Sequence, residues 1–279
     1  MKIEFTCDKC GQQYRVSDDK AGRKVRCRMC EQILIVPSIF DDDFPREKTS
    51  GGSVVHRHEP RMRDFELATG DEDTIKHISD HIEHHIGPID SVFHELVSDM
   101  IHVDVHWVQP TDSRPFHTLV TSGMSERPMM SPQELPQSQY SELMISLPPD
   151  WPISEEAFED ECNYWPIRWL KILARFPHEY ETWLFDSHTV PNGDPPEPFA
   201  ENTDFCGWLL LPPMLVSDQF WSLKVSCDKT IRFFAIYPLY QSEMAYKLEH
   251  GVDALIDRFD EFEICEVVDV ERENVCQKE

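Results

Sequence analysis

The sequence predicts an α+β fold with a mixed, mainly antiparallel sheet flanked by helices, preceded by a small cysteine-rich module. Long amphipathic helical patterns alternate irregularly with short apolar segments that have the length of strands. Several of these strands follow one another across short turns, as antiparallel neighbours do. Two CxxC motifs precede all of them. We therefore expect a ribbon at 1–37, a flexible linker at 38–69 and a large domain at 70–279.

The first module carries four cysteines in two CxxC pairs that are separated by 16 residues: Cys7, Cys10, Cys27 and Cys30. This is the spacing of a four-thiolate zinc site, in which each pair turns back so that its two sulfurs face one point. Four protein ligands fill the coordination sphere, so the zinc would be structural. Two disulfides or four free thiols are the alternatives, and the lack of an export signal favours zinc.

The rest of the module predicts two short hairpins, with strands at 14–16 and 33–36 and a turn that Gly11 permits. Its basic residues include Arg15, Lys20, Arg23, Lys24, Arg26 and Arg28. These residues could contact nucleic acid, or they could serve docking and solvation. A net charge of only +3 over 1–37 favours docking or solvation.

The negative charge of the chain belongs to its large domain. The net charge of the whole chain is −26, and residues 70–279 alone carry −27, with 40 acidic against 13 basic residues. Such a charge repels nucleic acid and anionic membranes and attracts basic partners, although acidic surfaces also simply maintain solubility. The N-terminus has no signal-peptide pattern, and no apolar run approaches the roughly 18 residues of a membrane span. We expect a soluble, cytoplasmic protein.

The large domain opens with a predicted helix at 71–86, whose isoleucines form one face. His77, His81 and His84 lie on the opposite face. The first two have the i, i+4 spacing of metal ligands. Because no HExxH pattern and no third ligand accompany them, this face is interpreted as a solvated surface.

The predicted helix continues at 91–100 and is followed by strands, at 102–107, 116–121 and 140–147. The loop at 123–139 is rich in methionine and proline. Unbranched methionines suit a partner-binding rim, and they equally suit core packing beneath a long loop. Met129 and Met130 are therefore candidate partner-binding residues.

A second long helix is predicted around 165–176, with Pro166 in its first turn and an apolar face of Trp165, Trp169, Ile172, Leu173 and Phe176. A polar loop follows at 185–194. The remaining predicted elements are strands at 206–211, 220–226 and 231–237, helices at 242–250 and 252–262, and a last strand at 264–270.

The best candidates for catalysis are Asp186, His188, Asp194 and Asp204 around this loop, with Cys206 near its exit. A cysteine nucleophile must be exposed and activated, whereas Cys206 opens an apolar strand. No nucleophile-elbow, Walker, dinucleotide-binding or HExxH motif is present. We expect no catalysis. A hydrolase that uses His188 and nearby carboxylates is the alternative.

Five segments in this order resemble the Suppressor-of-fused-like (SUFU-like) domain. They read HTLVTSGMS (117–125), ELMISLPPDW (142–151), WPIRWLKILARF (165–176), FDSHTVPNGDP (185–195) and FFAIYPLYQSEMAYKLEHG (233–251). The resemblance covers about 200 residues at the scale of one domain. No catalytic motif comes with it.

The resemblance implies a protein that binds other proteins. The animal members of this family regulate the Hedgehog pathway and hold an extended peptide as an added strand, and bacterial members resemble immunity proteins that neutralise toxins. We therefore expect a non-catalytic, bacterial immunity-type module whose partner is a basic toxin or an extended peptide, with no membrane or nucleic-acid partner. The predicted partner-binding residues are Asp186, His188, Asp194, Met129 and Met130.

Overall fold

The computed structural model divides the chain into two compact units. The first consists of residues 1–49 and 54–56, and the second of 50–53 and 57–279. The structure describes residues 2–7, 9–17, 24–35, 48–52, 54–58, 64–95, 97–133 and 135–277.

The first unit contains two short antiparallel hairpins. β1 (Lys2–Thr6) pairs with β2 (Gln13–Ser17), and β3 (Lys24–Arg26) pairs with β4 (Ile33–Ile35). Each CxxC motif lies in the turn of one hairpin, as the spacing predicted. Cys7, Cys27 and Leu34 form a small buried cluster, with a few partly buried side chains around it. Such a core is too small to support folding by itself. Val36, Lys20 and Arg23, which the sequence analysis assigned to this module, lie outside the described residues.

The second unit is built on one large sheet. Its strands are β6 (Ser91–Phe93), β8 (Asp104–Val108), β9 (His117–Ser122), β10 (Ser141–Leu147), β11 (Thr189–Pro191), β12 (Gly207–Leu211), β13 (Ser222–Lys224) and β14 (Thr230–Leu239). They lie in the order β11-β12-β14-β10-β9-β8-β6, and β13 pairs with β14 beside this path. β5 (Leu67–Ala68) and β7 (Ser98–Asp99) form a separate small pair.

The strand pairing of the large sheet is antiparallel with one exception. β10 runs parallel to β14, with Ser141 opposite Arg232. A parallel neighbour requires a long crossover, which the chain supplies between these two strands. This arrangement confirms the predicted α+β class with a mixed, mainly antiparallel sheet.

Four helices cover the sheet, namely α1 (Glu72–His85), α2 (Glu161–Glu179), α3 (Gln241–His250) and α4 (Val252–Glu261). Alternate residues of a strand face opposite sides. Leu143 and Ile145 of β10 pack in the same core as α2, whereas Met144 between them packs in the core that contains residues of α1, α3 and α4. The sheet is therefore buried on both faces, and its central strands are apolar throughout.

The predicted helix at 91–100 is wrong. Residues Ser91–Phe93 form β6, which pairs with β8, and Ser98–Asp99 form β7. Leu96 lies outside the described residues. The helical spacing of apolar residues here is only a weak preference, and pairing with β8 overrides it.

The second long helix begins earlier than predicted. α2 starts at Glu161, and the Asp160 side chain accepts a hydrogen bond from the Cys162 N–H, as an N-cap does. Pro166 therefore lies inside the helix and not in its first turn. Ile172 was assigned to the apolar face, but it is 39% exposed.

The predicted last strand at 264–270 is also wrong. Only one isolated bridge forms there, between Ser146 and Val267. The chain beyond it is held by side chains, because buried Glu243 forms an ion pair with Arg272 at 2.6 Å. Arg272 also donates to the Pro238 carbonyl at 3.0 Å.

Part of the predicted linker is paired. Leu67 and Ala68 lie opposite Asp99 and Ser98, so ordered backbone of the second unit begins before residue 70. Residues 38–47, 53 and 59–63 of the linker lie outside the described residues, and the domain boundaries stay predictions. No helix within the described ranges has the length and apolar character that crossing a membrane requires.

Candidate functional site

The four cysteines of the first unit converge on one point. The Cys7 and Cys30 sulfurs are 3.6 Å apart, and those of Cys10 and Cys27 are 3.5 Å apart. All four Sγ atoms lie within 4.8 Å of one another. None of the four is in a disulfide. The arrangement can hold one tetrahedral metal ion, and an all-sulfur donor set is a common one for structural zinc.

The backbone builds both halves of this cluster in the same way. In each half the N–H of the first cysteine donates to the carbonyl five residues later, at 2.9 Å and 2.8 Å. The N–H of the residue four positions later donates back, from Gly11 at 2.8 Å and from Glu31 at 2.9 Å. Both residues have positive φ, 72° and 58°. The repeated turn aims two pairs of sulfurs at a shared centre.

Tyr14 fixes one sulfur of the cluster. Its O–H donates to Cys27 Sγ at 3.1 Å and accepts from the Arg28 N–H at 2.7 Å. The hydrogen bond from Tyr14 is the largest of the effects that lower the pKa of Cys27 to about 6. A sulfur held as a thiolate is the form that binds a metal.

In the second unit, the loop predicted at 185–194 contains an edge strand of the large sheet. Thr189–Pro191 form β11, which pairs only with β12 in the described sheet. Pro191 fits an edge strand because it has no N–H to offer to a further neighbour. The predicted site residues Asp186 and His188 come just before this strand, and Asp194 comes just after it.

Asp186 and His188 lie at the start of this edge. Asp186 is exposed and accepts a hydrogen bond from the Ser187 hydroxyl at 3.3 Å. The His188 ring is partly buried and packs edge-on against Trp183, with ring centroids 5.5 Å apart. The His188 carbonyl accepts from the Leu210 N–H at 3.0 Å, which anchors the segment to β12.

Asp194 lies at the other end of the edge. Its carboxylate is exposed and forms an ion pair with Arg57 at 3.1 Å. Arg57 belongs to the stretch predicted as linker. Exposed ion pairs of this kind contribute little to stability, so Asp194 can exchange Arg57 for a cation of another molecule at small cost.

The two candidate methionines have different surroundings. Met129 is 3% exposed and its sulfur accepts from the Leu184 N–H at 3.5 Å, so its assignment to a binding surface is corrected to core packing. Met130 is 52% exposed, and its N–H donates to the Thr182 carbonyl at 3.0 Å. Its side chain lines a small open pocket of about 160 Å³, together with Met100, Arg127, Pro128, Pro177, His178 and Glu181.

Cys206 is buried, as the apolar strand predicted. Burial, together with the nearby Asp204, raises the pKa of its thiol. A thiol nucleophile acts as the thiolate, so this environment opposes catalysis by Cys206.

Exposed carboxylates gather beside the N-terminus of α2. This acidic patch consists of Glu155, Glu156, Glu159, Asp160 and Glu201. Asn202 joins the two parts of the patch, because its side-chain amide donates to the Cys162 carbonyl at 3.1 Å. These exposed carboxylates offer a surface that a cation-rich molecule can contact.

The histidine face of α1 is less solvated than predicted. His81 stacks on Phe220 and Phe233, with centroids 5.0 Å and 5.3 Å away. Burial accordingly lowers the pKa of His81.

A different set of histidines, His94 and His102, lies beside Asp104. No spacing motif marks that set, because its members come together only when β6 pairs with β8.

Comparisons with known proteins identify the second unit. The family model for Suppressor of fused protein (SUFU) matches residues 99–273, which is more than half of the chain. The chain is similar to the crystal structure of a SUFU homolog from Neisseria gonorrhoeae FA 1090, with a TM-score of 0.53 and 20% identity over 75% of this chain and 97% of that one. No protein with a curated description matches it.

A second solved structure with this fold is the crystal structure of the Sufu-Fu complex. It has a TM-score of 0.52 and 12% identity, over 75% of this chain and 93% of that one. At these identities the two structures establish the fold, and the family model establishes the membership. The ordered segments, the sheet and the family match agree, and this chain belongs to the Suppressor of fused protein family.

Proposed function

We propose that the chain is a non-catalytic protein-binding module whose partner is a basic protein or an extended basic peptide. The observation that carries the proposal is the acidic second unit, with 40 acidic and 13 basic residues in 70–279. It has the fold of a family in which one solved structure is a complex of two proteins.

The binding surface that we propose lies along β11. Asp186, His188 and Asp194 flank this strand, and we call this set the β11 surface. It combines two exposed carboxylates with a partly buried imidazole. Exposed Met130, whose N–H donates to the Thr182 carbonyl, is proposed as a further partner contact. Carboxylates at the rim of an interface accelerate association with cations and set the orientation of the partner.

Addition of a partner strand to β11 would be short. The N–H groups of Ser187 and Asn192 and the carbonyl of His188 already bond toward β12. By alternation the N–H of Thr189 points outward, whereas Pro191 has none. Side-chain contacts to the carboxylates therefore supply most of the recognition.

We further propose that the partner is a toxin that this protein neutralises, as an immunity protein does. Many nucleases bind nucleic acid in basic clefts. An acidic protein surface that covers such a cleft keeps the nucleic acid out of it. We place the protein in the cytoplasm, where thiols stay reduced. A toxin reading frame next to the gene would support this proposal.

The four N-terminal cysteines are proposed to hold one structural zinc ion. Two repeated turns and a sulfur held by a hydrogen bond from Tyr14 suit a closed tetrahedral site. The ion would stabilise a unit whose own core is small.

The test measures binding of a lysine-rich extended peptide, and of the product of any adjacent toxin gene, by calorimetry at low and moderate salt. The double variant Asp186→Asn, Asp194→Asn should weaken binding at least tenfold, and the loss should shrink as salt screens the charges. Asp228→Asn, on the turn between β13 and β14, removes one of these charges elsewhere and should have little effect.

Two outcomes would contradict the proposal. Equal losses in Asp228→Asn and in the β11 variants would show that only overall charge matters. Turnover of any substrate in a broad panel, abolished by His188→Ala, would favour the hydrolase that the loop around His188 suggested as the alternative.

A further inference from the structure

His94, His102 and Asp104 form a compact group at the junction of β6 and β8. Asp104 is the first residue of β8, and its side chain is 4% exposed. Its Oδ1 lies 3.0 Å from His102 Nε2, and its Oδ2 lies 3.1 Å from His94 Nδ1. The three ligand atoms lie within 4.8 Å of one another. Two imidazoles thus face the two oxygens of one buried carboxylate.

Neighbouring side chains determine which nitrogen of His102 carries a proton. The Ser98 hydroxyl donates its single hydrogen to Glu95 at 2.7 Å. The Glu95 carboxylate also forms an ion pair with Arg175. Ser98 Oγ is also 2.8 Å from His102 Nδ1, and with its hydrogen already used it must accept there. His102 therefore carries its proton on Nδ1.

This arrangement turns a ring nitrogen of His102 toward a carboxylate oxygen. His102 Nε2 lies 3.0 Å from Asp104 Oδ1, so one cation can be bound by both atoms. Asp104 Oδ1 is a buried atom with no hydrogen-bond partner in the described part of the chain. A buried polar atom without a partner is costly, and a cation bound between these groups would remove that cost.

We propose that His94, His102 and Asp104 bind one divalent transition-metal ion, separate from the cysteine cluster. Two imidazoles and a carboxylate are donors that suit zinc and its neighbours, and three protein ligands leave one position open to solvent. The chain from His102 through Ser98 to Glu95 is the kind of support that orients a metal-bound histidine. The His94 side chain is 65% exposed, which gives the ion a path to the site and lets the ring move toward it.

The test uses the full chain with Cys10→Ser and Cys30→Ser, which disable the cysteine cluster, and titrates Co²⁺ with a visible-absorption readout. We expect one bound ion with the weak bands of nitrogen and oxygen ligation and no thiolate charge-transfer band. His94→Ala should weaken binding at least tenfold. Ser98→Ala, which removes the hydroxyl beside His102 Nδ1, should weaken binding about tenfold to a hundredfold.

Controls separate this site from adventitious binding. His84→Ala removes an exposed histidine of α1 and should leave the affinity unchanged. Far-UV circular dichroism should be the same for all variants. Because the His94 side chain is exposed, its replacement by alanine should not affect folding. No bound Co²⁺ in the chain that lacks Cys10 and Cys30, or an equal loss with His84→Ala, would overturn the proposal.

Discussion

Glu31 and Gly11 occupy equivalent turn positions in the two halves of the cysteine cluster, at φ of 58° and 72°. This region costs a residue with a side chain roughly 1 kcal/mol, whereas glycine enters it freely. Glu31→Gly should therefore stabilise the zinc-loaded ribbon by about 0.5–1 kcal/mol. The measurement is zinc release against urea, followed with a chromophoric chelator.

The opposite change provides the control. A Cβ at Gly11 meets no atom within 4 Å, so Gly11→Ala changes only the backbone energy. It should destabilise the ribbon by about 1 kcal/mol. A lower urea midpoint for Glu31→Gly would show that the Glu31 side chain makes a stabilising contact that outweighs its strain.

A glycine is required for a different reason in the HTLVTSG segment. Gly123 has φ of 118°, and a Cβ there would lie 1.8 Å from the His102 carbonyl oxygen. Its N–H donates to the buried Glu142 at 3.0 Å, and Ser125 donates to the same oxygen from its N–H at 2.9 Å and from its hydroxyl at 2.6 Å. This turn satisfies a carboxylate inside the core, which a larger residue would displace.

At the scale of elements, the buried face of α2 packs against one cluster of aromatic side chains. Trp165 is fully buried, and its ring lies 5.5 Å from Phe199 and 5.7 Å from Trp208. Trp165→Ala should cost roughly 3–5 kcal/mol in urea unfolding. Ile172→Ala, on the exposed side of the same helix, should cost less than about 1 kcal/mol. Similar losses for the two variants would contradict the assignment of the buried face.

At the scale of the whole molecule, the two units predict separate responses to a chelator. The four helices found in the described ranges all lie in the second unit, and the proposed zinc lies in the first. EDTA should therefore unfold the ribbon, with collapse of its amide NMR dispersion, and leave the helical circular dichroism signal unchanged. Cys30→Ser should reproduce this result without chelator. Loss of the helical signal on removal of metal would contradict it.

Local patterns in the sequence predicted several features correctly. The CxxC spacing predicted that four cysteines converge, since the ligands of each half lie within one turn. Apolar runs predicted the central strands β10, β12 and β14, because strands that are buried on both faces are apolar throughout. Ordered segments identified the family, and the residue count established the acidity of the large domain.

Long-range pairing decided the rest. Residues 91–93 form a strand only because β8 is their neighbour, and the local pattern contains no information about that neighbour. For the same reason the local pattern could not tell Met129, which is buried, from Met130, which is exposed, because the two are adjacent and identical in type. The predicted loop at 185–194 became an edge strand for the same reason, because β12 lies beside it.

The sequence by itself thus determined which parts the protein has. These are a cysteine-rich ribbon, an acidic α+β domain of the SUFU family, and the helices and strands with strong periodicity. Only the tertiary structure decided which side chains meet. His94, His102 and Asp104 are joined by the pairing of two strands, and the β11 surface exists because that strand ends the sheet. The physical reason is that periodicity reports the neighbours along one element, whereas a site is made by contacts between elements.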